Sequence, residues 1–166
     1  VGSGGREHAL SWKISKSPLV KEIFVAPGNG GTELENSVIN VDIHADDIEG
    51  LAQFAINKQI DLTIIGPENP LVNGITDKFE ESGLRCFGPS KGAAQLEGSK
   101  EFMKDFLKKY NIPSAQYSAF TDPIKAIDYV REKGCPIVIK ADGLAAGKGV
   151  TIANNIYEAK EAIDLA

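Results

Sequence analysis

Ile137-Val138-Ile139-Lys140-Ala141-Asp142-Gly143-Leu144-Ala145-Ala146-Gly147-Lys148-Gly149-Val150 is the stretch on which the reading of this chain turns. It opens with a β-branched run, which predicts a buried strand ending in a lysine. It continues as a loop of glycines and alanines carrying a second lysine, Lys148, and returns to the apolar run Val150-Thr151-Ile152. The prediction is strand, basic loop, strand. Residues without bulk let backbone N–H groups approach an anion closely, and two ammonium groups neutralise it. That chemistry suits a nucleoside triphosphate held under a β-hairpin lid. The loop is not a Walker A motif: only Leu144, Ala145 and Ala146 separate Gly143 from Gly147, and Gly149 stands where a magnesium-binding Ser or Thr would follow the lysine. Lys140 closes an apolar strand, where an ammonium either meets a phosphate oxygen or snorkels out to water.

Working outward, the apolar runs at residues 22–26, 38–43, 60–65 and 84–87 predict strands. Between them lie helical patterns. One follows the first glycine loop with Ala9, Leu10, Trp12 and Ile14 as inward positions and ends before Pro18. A second is capped by Asp46 with Glu49 and runs through Leu51, Phe54, Ala55 and Lys58. A third covers residues 71–82 and stops at Gly83. Alternating strands and helices with short connections predict an open parallel sheet covered on both faces, a Rossmann-like α/β arrangement. From residue 90 the character changes. Helices are predicted at 93–96 and 99–110, the latter with Phe102, Met103, Phe106 and Leu107 on one face, then a strand at 114–120. Asp122-Pro123 starts a helix that reaches Gly134, and Asn155 with Glu158 starts the last one.

The composition is that of a globular protein: 42% hydrophobic and 25% charged residues, with a net charge of −5. No global basic field recruits nucleic acid or an anionic membrane, so any phosphate is bound by local positive groups. No apolar run reaches the roughly 20 residues of a membrane span. Cys86 and Cys135 stand apart, without Cys or His neighbours, and read as reduced, partly buried thiols of a cytoplasmic protein.

The opening loop, Gly2-Ser3-Gly4-Gly5-Arg6-Glu7-His8, fails as a dinucleotide fingerprint. Glu7 occupies the third glycine's place, and Ala26-Pro27-Gly28 stands where a ribose-binding acid should close the second strand. The loop still suits a phosphate, with free N–H groups at a helix start and Arg6 able to fork onto oxygens. Such a loop normally follows a strand, so a strand of about five residues is expected ahead of Val1. The helical pattern at Ala166 has no terminator and is expected to continue. His8, beside apolar positions, reads as a structural hydrogen-bonding residue in preference to a general base. Glu68 follows a buried strand directly within Gly66-Pro67-Glu68-Asn69-Pro70, at the edge where open α/β sheets bind ligands.

Gly4-Gly5-Arg6-Glu7-His8-Ala9, Ala26-Pro27-Gly28-Asn29, Gly66-Pro67-Glu68, Phe87-Gly88-Pro89, Gln95-Leu96-Glu97-Gly98-Ser99-Lys100 and residues 140–150 occur in this order. Together they resemble the N-terminal part of the phosphoribosylamine–glycine ligase family, the glycinamide ribonucleotide synthetases of purine biosynthesis. The resemblance runs the length of the chain. It implies a substrate domain over residues 1–90, the start of an ATP-grasp core over 91–118 and most of its small α+β lid over 119–166. It also implies joining of glycine to 5-phosphoribosylamine with cleavage of ATP. On that basis ATP is expected at Lys100, Lys140, Asp142, Gly143, Leu144, Ala145, Gly147, Lys148 and Gly149. The phosphoribosyl end is expected at Gly4, Gly5, Arg6 and Glu7, with Asn29, Gly66, Pro67 and Glu68 nearby. The resemblance puts the family's Mg2+ ligands and most glycine contacts beyond Ala166, so this piece alone is expected to be inactive. Two other readings compete: another ATP-grasp enzyme of the purine pathway, and a non-catalytic nucleotide-binding module.

Overall fold

In the computed structural model, which describes residues 1–145 and 149–166, each upstream apolar run forms a strand shorter than its pattern. The chain divides into two compact units, Val1–Ala94 and Gln95–Ala166. In the first, helix α1 (Gly5–Ser15) is followed by strand β1 (Ile23–Val25), the single-turn helix α2 (Gly30–Glu33), strand β2 (Val38–Asn40) and helix α3 (Ile48–Asn57). Strand β3 (Thr63–Ile64), helices α4 (Glu68–Asn73) and α5 (Ile75–Glu81) and strand β4 (Cys86–Phe87) complete it. β1 pairs with β2 in parallel, Ile23 opposite Val38 and Val25 opposite Asn40. β3 pairs with β4 in parallel, Thr63 opposite Cys86.

Val1 and Gly2 bridge the two pairs. Gly2 N–H donates to the Ala26 carbonyl (2.7 Å) and Gly66 N–H donates to the Val1 carbonyl (3.1 Å). The Val1 nitrogen donates to the Ile64 carbonyl at 2.7 Å. The parallel layer therefore reads β2, β1, Val1-Gly2, β3, β4, and the loops after Gly2, Ala26 and Ile65 all leave from one carboxyl edge. Phe79 and Ile75 of α5 are fully buried against Leu51, Ala52 and Ala55 of α3, with Ala26 and Ile65 from the strand ends. The spacing on α3 is that of a single helical stripe.

Four expectations for this unit change. Helix α3 begins one residue later than the capping box implied: its N-cap is Asp47, whose side chain accepts from Gly50 N–H at 2.9 Å. The helix expected over 71–82 is two helices, broken at Gly74, whose φ of +97° is left-handed. Helical structure already starts at Glu68, so that residue opens a helix instead of riding a free loop. On α1 the buried side chains are Glu7 and Ser11, one turn apart, whereas Leu10 and Trp12 remain 42% and 48% exposed. The reason is local: Glu7 caps the Gly4 amide, and that contact turns positions 7 and 11 toward the strand ends.

Helix α6 (Lys91–Gly98) crosses the division between the units. The second unit then contains α7 (Lys100–Lys109), α8 (Pro123–Lys133), strands β5 (Ile137–Lys140) and β6 (Val150–Ala153), and α9 (Ile156–Asp164). Ser99, Asp122 and Asn155 each cap a helix through a side-chain oxygen, satisfying amides that have no intrahelical acceptor. β5 and β6 form an antiparallel hairpin, Ile137 opposite Ala153 and Lys140 opposite Val150. Alternation sends Ile137 and Ile139 inward onto Val130, Ala153 and Ala159. Residues 114–120 are not a strand. They are almost entirely exposed and have no ladder partner among the described residues, and alternation alone cannot hold a strand without one. Cys86 and Cys135 are free, half-buried thiols. No helix among the described residues is long and apolar enough to cross a membrane.

Candidate functional site

At the carboxyl edge of the parallel layer the sequence brings together three glycine-containing loops, and Glu7 is the side chain shared by two of them, that of Gly2 and Gly4 and that of Gly66. Its Oε2 accepts from Gly4 N–H at 2.7 Å, while Oε1 is buried without a partner among the described residues. A Cβ added at Gly66 would lie 2.1 Å from that Oε1, one at Gly2 would lie 2.5 Å from the Glu7 Cγ, and one at Gly4 would lie 2.9 Å from Oε2. Those positions are glycine because the carboxylate occupies the space. The Gly4 amide, expected to face a phosphate, is thus already spent inside the protein. The amides of Gly5, Arg6 and Glu7, in the first turn of an eleven-residue helix, have no intrahelical acceptor and sit at the positive end of its dipole.

Arg6 reaches from that first turn to the start of α4. Its two terminal nitrogens donate to the two oxygens of Glu68, at 2.9 and 3.2 Å. The Arg6 hydrogen bond and charge hold the Glu68 carboxyl below the usual range. The pair is exposed, so it adds little stability. Its consequence is positional: a cation and a carboxylate stand side by side over the free helix-start amides. Glu68 keeps lone pairs for hydroxyl donors after both of its bonds to Arg6. Pro67 is the N-cap residue of α4 and Gly66 is the close-packed glycine against Glu7.

Asn29 is fully occupied. Its Oδ1 accepts from Gly31 and Thr32 N–H (2.7 and 3.0 Å), and its Nδ2 donates to the carbonyls of Ser3 (2.8 Å) and Gly4 (3.4 Å). The side chain therefore ties α2 to the glycine loop. His8 makes a second tie between α1 and the segment after α2, with Nε2 2.9 Å from Glu35 Oε1. That agrees with a structural histidine.

In the second unit the outward face of the hairpin carries Val138 and Ile152, 50% and 65% exposed, beside exposed Val150 and Lys140. Lys140 has no hydrogen-bond or ion-pair partner among the described residues. Its side chain is exposed at the strand end. An apolar strip ending in a free ammonium can pack a flat heteroaromatic ring and neutralise an attached phosphate.

Asp142 and Lys100 lie together at the root of the loop. Asp142 accepts from Ser99 Oγ (3.0 Å) and from the Lys100 and Glu101 amides (2.6 and 3.3 Å), so it caps the start of α7 from another segment. Lys100 Nζ donates to the Gly143 carbonyl at 2.7 Å. Leu144, Ala145 and Gly149 continue the loop, and a Cβ at Gly149 would meet that of Ala145 at 2.8 Å. Gly147 and Lys148, both expected to contact ATP, lie outside the described residues.

Burial pushes the Asp142 carboxyl up, but hydrogen bonds from Ser99 and the Gly143, Glu101 and Lys100 amides outweigh it and leave it below the usual range. A carboxyl lowered in the folded state gives stability that is present above its unfolded value and lost as pH falls through the folded one. Asp142→Asn is therefore expected to flatten the acid-side loss of stability of this chain between neutral pH and about pH 2. Thermal melts across that window check it, and parallel curves for the two proteins would remove the assignment.

Three partners, Ser99, Thr32 and Asn40, whose Nδ2 donates to the Asn29 carbonyl at 2.9 Å, escaped sequence reading. Ser99 precedes a helical run and could have been read as a cap. Nothing local marks Asn40, a polar residue at a strand end.

Compared with known proteins, residues 1–97 match the family model described as phosphoribosylglycinamide synthetase, N domain. Residues 98–166 match that for its ATP-grasp (A) domain. The chain is 60% identical over 163 residues to the phosphoribosylamine–glycine ligase of Haemophilus influenzae, covering 98% of this chain and 38% of that protein. It is 60% identical to that of Escherichia coli K12 over the same shares. The chain thus spans about two-fifths of the length of these curated relatives. The crystal structure of phosphoribosylamine–glycine ligase from Thermotoga maritima superposes with a TM-score of 0.73 at 33% identity, covering 96% of this chain and 36% of that one. The biotin carboxylase domain of Hydrogenobacter thermophilus 2-oxoglutarate carboxylase shares the fold at 18% identity, with a TM-score of 0.71 over 94% of this chain and 36% of that one.

Proposed function

The chain belongs to the phosphoribosylglycinamide synthetase family, and from that premise we propose that it supplies the ribosylamine-binding and nucleotide-lid parts of an ATP-dependent ligase joining glycine to 5-phosphoribosylamine. Residues 1–90 are the substrate domain, 91–118 begin the ATP-grasp core, and 119–166 belong to its lid. The observation that carries the reading is the gathering of Arg6, Glu68 and the free first-turn amides of α1 at one sheet edge. That set binds both ends of a sugar phosphate. The amides and the guanidinium take the phosphate, and Glu68 takes ribose hydroxyls.

A carboxylate is a poor electrophile, so the reaction proceeds in two steps. The glycine carboxylate attacks the γ-phosphate of ATP, expelling ADP and forming an acyl phosphate. The ribosylamine nitrogen then attacks the acyl carbon, forming the amide and releasing phosphate. Transfer between anions needs positive charge at fixed positions. Lys140 stands free for a phosphate at the edge of the apolar strip that takes adenine. Lys100 and Asp142 hold the loop at its root, Lys100 through the Gly143 carbonyl and Asp142 through the start of α7. The described residues form no group of three His, Cys, Asp or Glu that could hold the Mg2+ such chemistry uses, so none is given a metal role.

The test is made on the full-length protein that carries this chain. Sustained, multiple-turnover ADP formation is expected only when glycine and phosphoribosylamine are both supplied with ATP, because the acyl phosphate of the first step is consumed by the amine, and its absence would overturn the reading. Lys140→Ala is expected to raise the KM for ATP about tenfold, the value of one charge-assisted phosphate contact, and leave that for phosphoribosylamine unchanged. An unaltered ATP titration would take the phosphate role from Lys140.

A further inference from the structure

Behind Asn29 lies a closed ring of polar groups that the reaction above does not use. Asn29 N–H donates to Thr32 Oγ1 at 2.8 Å. Asn40 Nδ2 donates to the Asn29 carbonyl at 2.9 Å. The single Thr32 hydroxyl proton has two acceptors within reach, Asn40 Oδ1 at 2.7 Å and the Asn29 carbonyl at 2.8 Å. Because the carbonyl already accepts from Asn40 Nδ2, donation to Asn40 Oδ1 is the choice that satisfies every group. The opposite orientation of the Asn40 amide would set two acceptors against each other, so the ring has one satisfied arrangement. Thr32 is completely buried, and the space beside Asn40 Oδ1 exists only because residue 28 is glycine. The ring fixes the backbone of Asn29 from behind, and the Asn29 carboxamide holds the carbonyls of Ser3 and Gly4 in front. Those two residues lead directly into the free amides of α1.

We propose that Thr32 and Asn40 are positioning residues of the phosphoribosyl site, setting the glycine loop through Asn29 without touching the ligand. This rests on the ligase reading for its kinetic consequence, while its geometric part stands without turnover. Removing the Thr32 hydroxyl leaves a half-buried donor, the Asn29 N–H, and a half-buried acceptor, Asn40 Oδ1, without their partner, so the loop relaxes and the phosphate contacts loosen.

The variants are Thr32→Val, which keeps the shape and loses the hydroxyl, and Thr32→Ser, which restores it. In the full-length protein Thr32→Val is expected to raise the KM for phosphoribosylamine about tenfold, leaving the KM for ATP and kcat within about twofold. Thr32→Ser returns the KM to near the starting value. A merely structural role would lower kcat and raise all three KM values together, and that pattern overturns the proposal. So does an unchanged KM in a folded Thr32→Val protein, or a failure of Thr32→Ser to restore it. Amide hydrogen exchange at Gly4, whose N–H is held by Glu7 at 2.7 Å, gives the second measurement in the 166-residue chain. Thr32→Val is expected to speed it about tenfold, with exchange on α9 unchanged, and equal exchange in both proteins overturns the positioning role. A protein without ligase activity that still shows this Thr32-dependent exchange supports the positioning role and overturns only the ligase reading.

Discussion

Replacing Gly28 by alanine is expected to destabilise the first unit by about 3 kcal/mol, combining a left-handed backbone position with a buried clash. Gly28 has a φ of +74°, and a Cβ there would lie 2.2 Å from Asn40 Oδ1 and 2.9 Å from Thr32 Oγ1. Both atoms belong to the closed ring behind Asn29, so neither can withdraw without breaking a buried hydrogen bond. The chain relieves the contact only by opening the ring or moving the loop, and either also disturbs the glycine loop in front. Gly5→Ala is the control: it starts α1, a Cβ there meets nothing within 4 Å, and its effect is expected to be near zero. Urea unfolding followed by the fluorescence of Trp12, the single tryptophan and a residue of α1, reports on this unit. A difference under about 1 kcal/mol between the two variants would mean the ring does not confine residue 28.

Arg6→Ala is expected to raise the KM for phosphoribosylamine about a hundredfold in the full-length protein, leaving that for ATP within about twofold. Two effects add. The bidentate contact to the phosphate is lost, and Glu68 is left as an uncompensated carboxylate beside the amides that remain. Arg6→Lys is expected to recover only part of the loss, because an ammonium keeps the charge but not the planar fork. Equal weakening of ATP and phosphoribosylamine would show that the substitution damages the fold and not the contact. Since the Arg6–Glu68 pair is exposed, unfolding of Arg6→Ala is expected to match that of the parent closely.

The sequence reading reached these residues unevenly, and particular elements show why. Asn155 with Glu158 and Asp122 with Pro123 were legible as helix starts because a cap is a contact between near neighbours, complete within one turn. The β-branched run from Ile137 to Lys140 likewise predicted a strand of the hairpin, but a buried one, whereas Val138 is half exposed. The run at 114–120 alternates and is not a strand, because a strand depends on a partner that local pattern does not supply. On α1 the amphipathic reading put Leu10 and Trp12 inside, whereas one carboxylate–amide contact between Glu7 and Gly4 decided the buried face.

By itself the sequence determined the alternating α/β order, the family, and which loops carry glycine and charge, since these follow from periodicity, caps and motif spacing along the chain. Only the tertiary structure decided which groups remain available. It spent the Gly4 amide on Glu7, the Asn29 carboxamide on two loops and the Asp142 carboxylate on the start of α7, and it left the Arg6–Glu68 pair exposed and Lys140 without a partner among the described residues. The long-range bonds among them join residues 26 to 62 positions apart, and hydrogen bonds at such separations depend on strand order and loop direction, which the fold alone supplies.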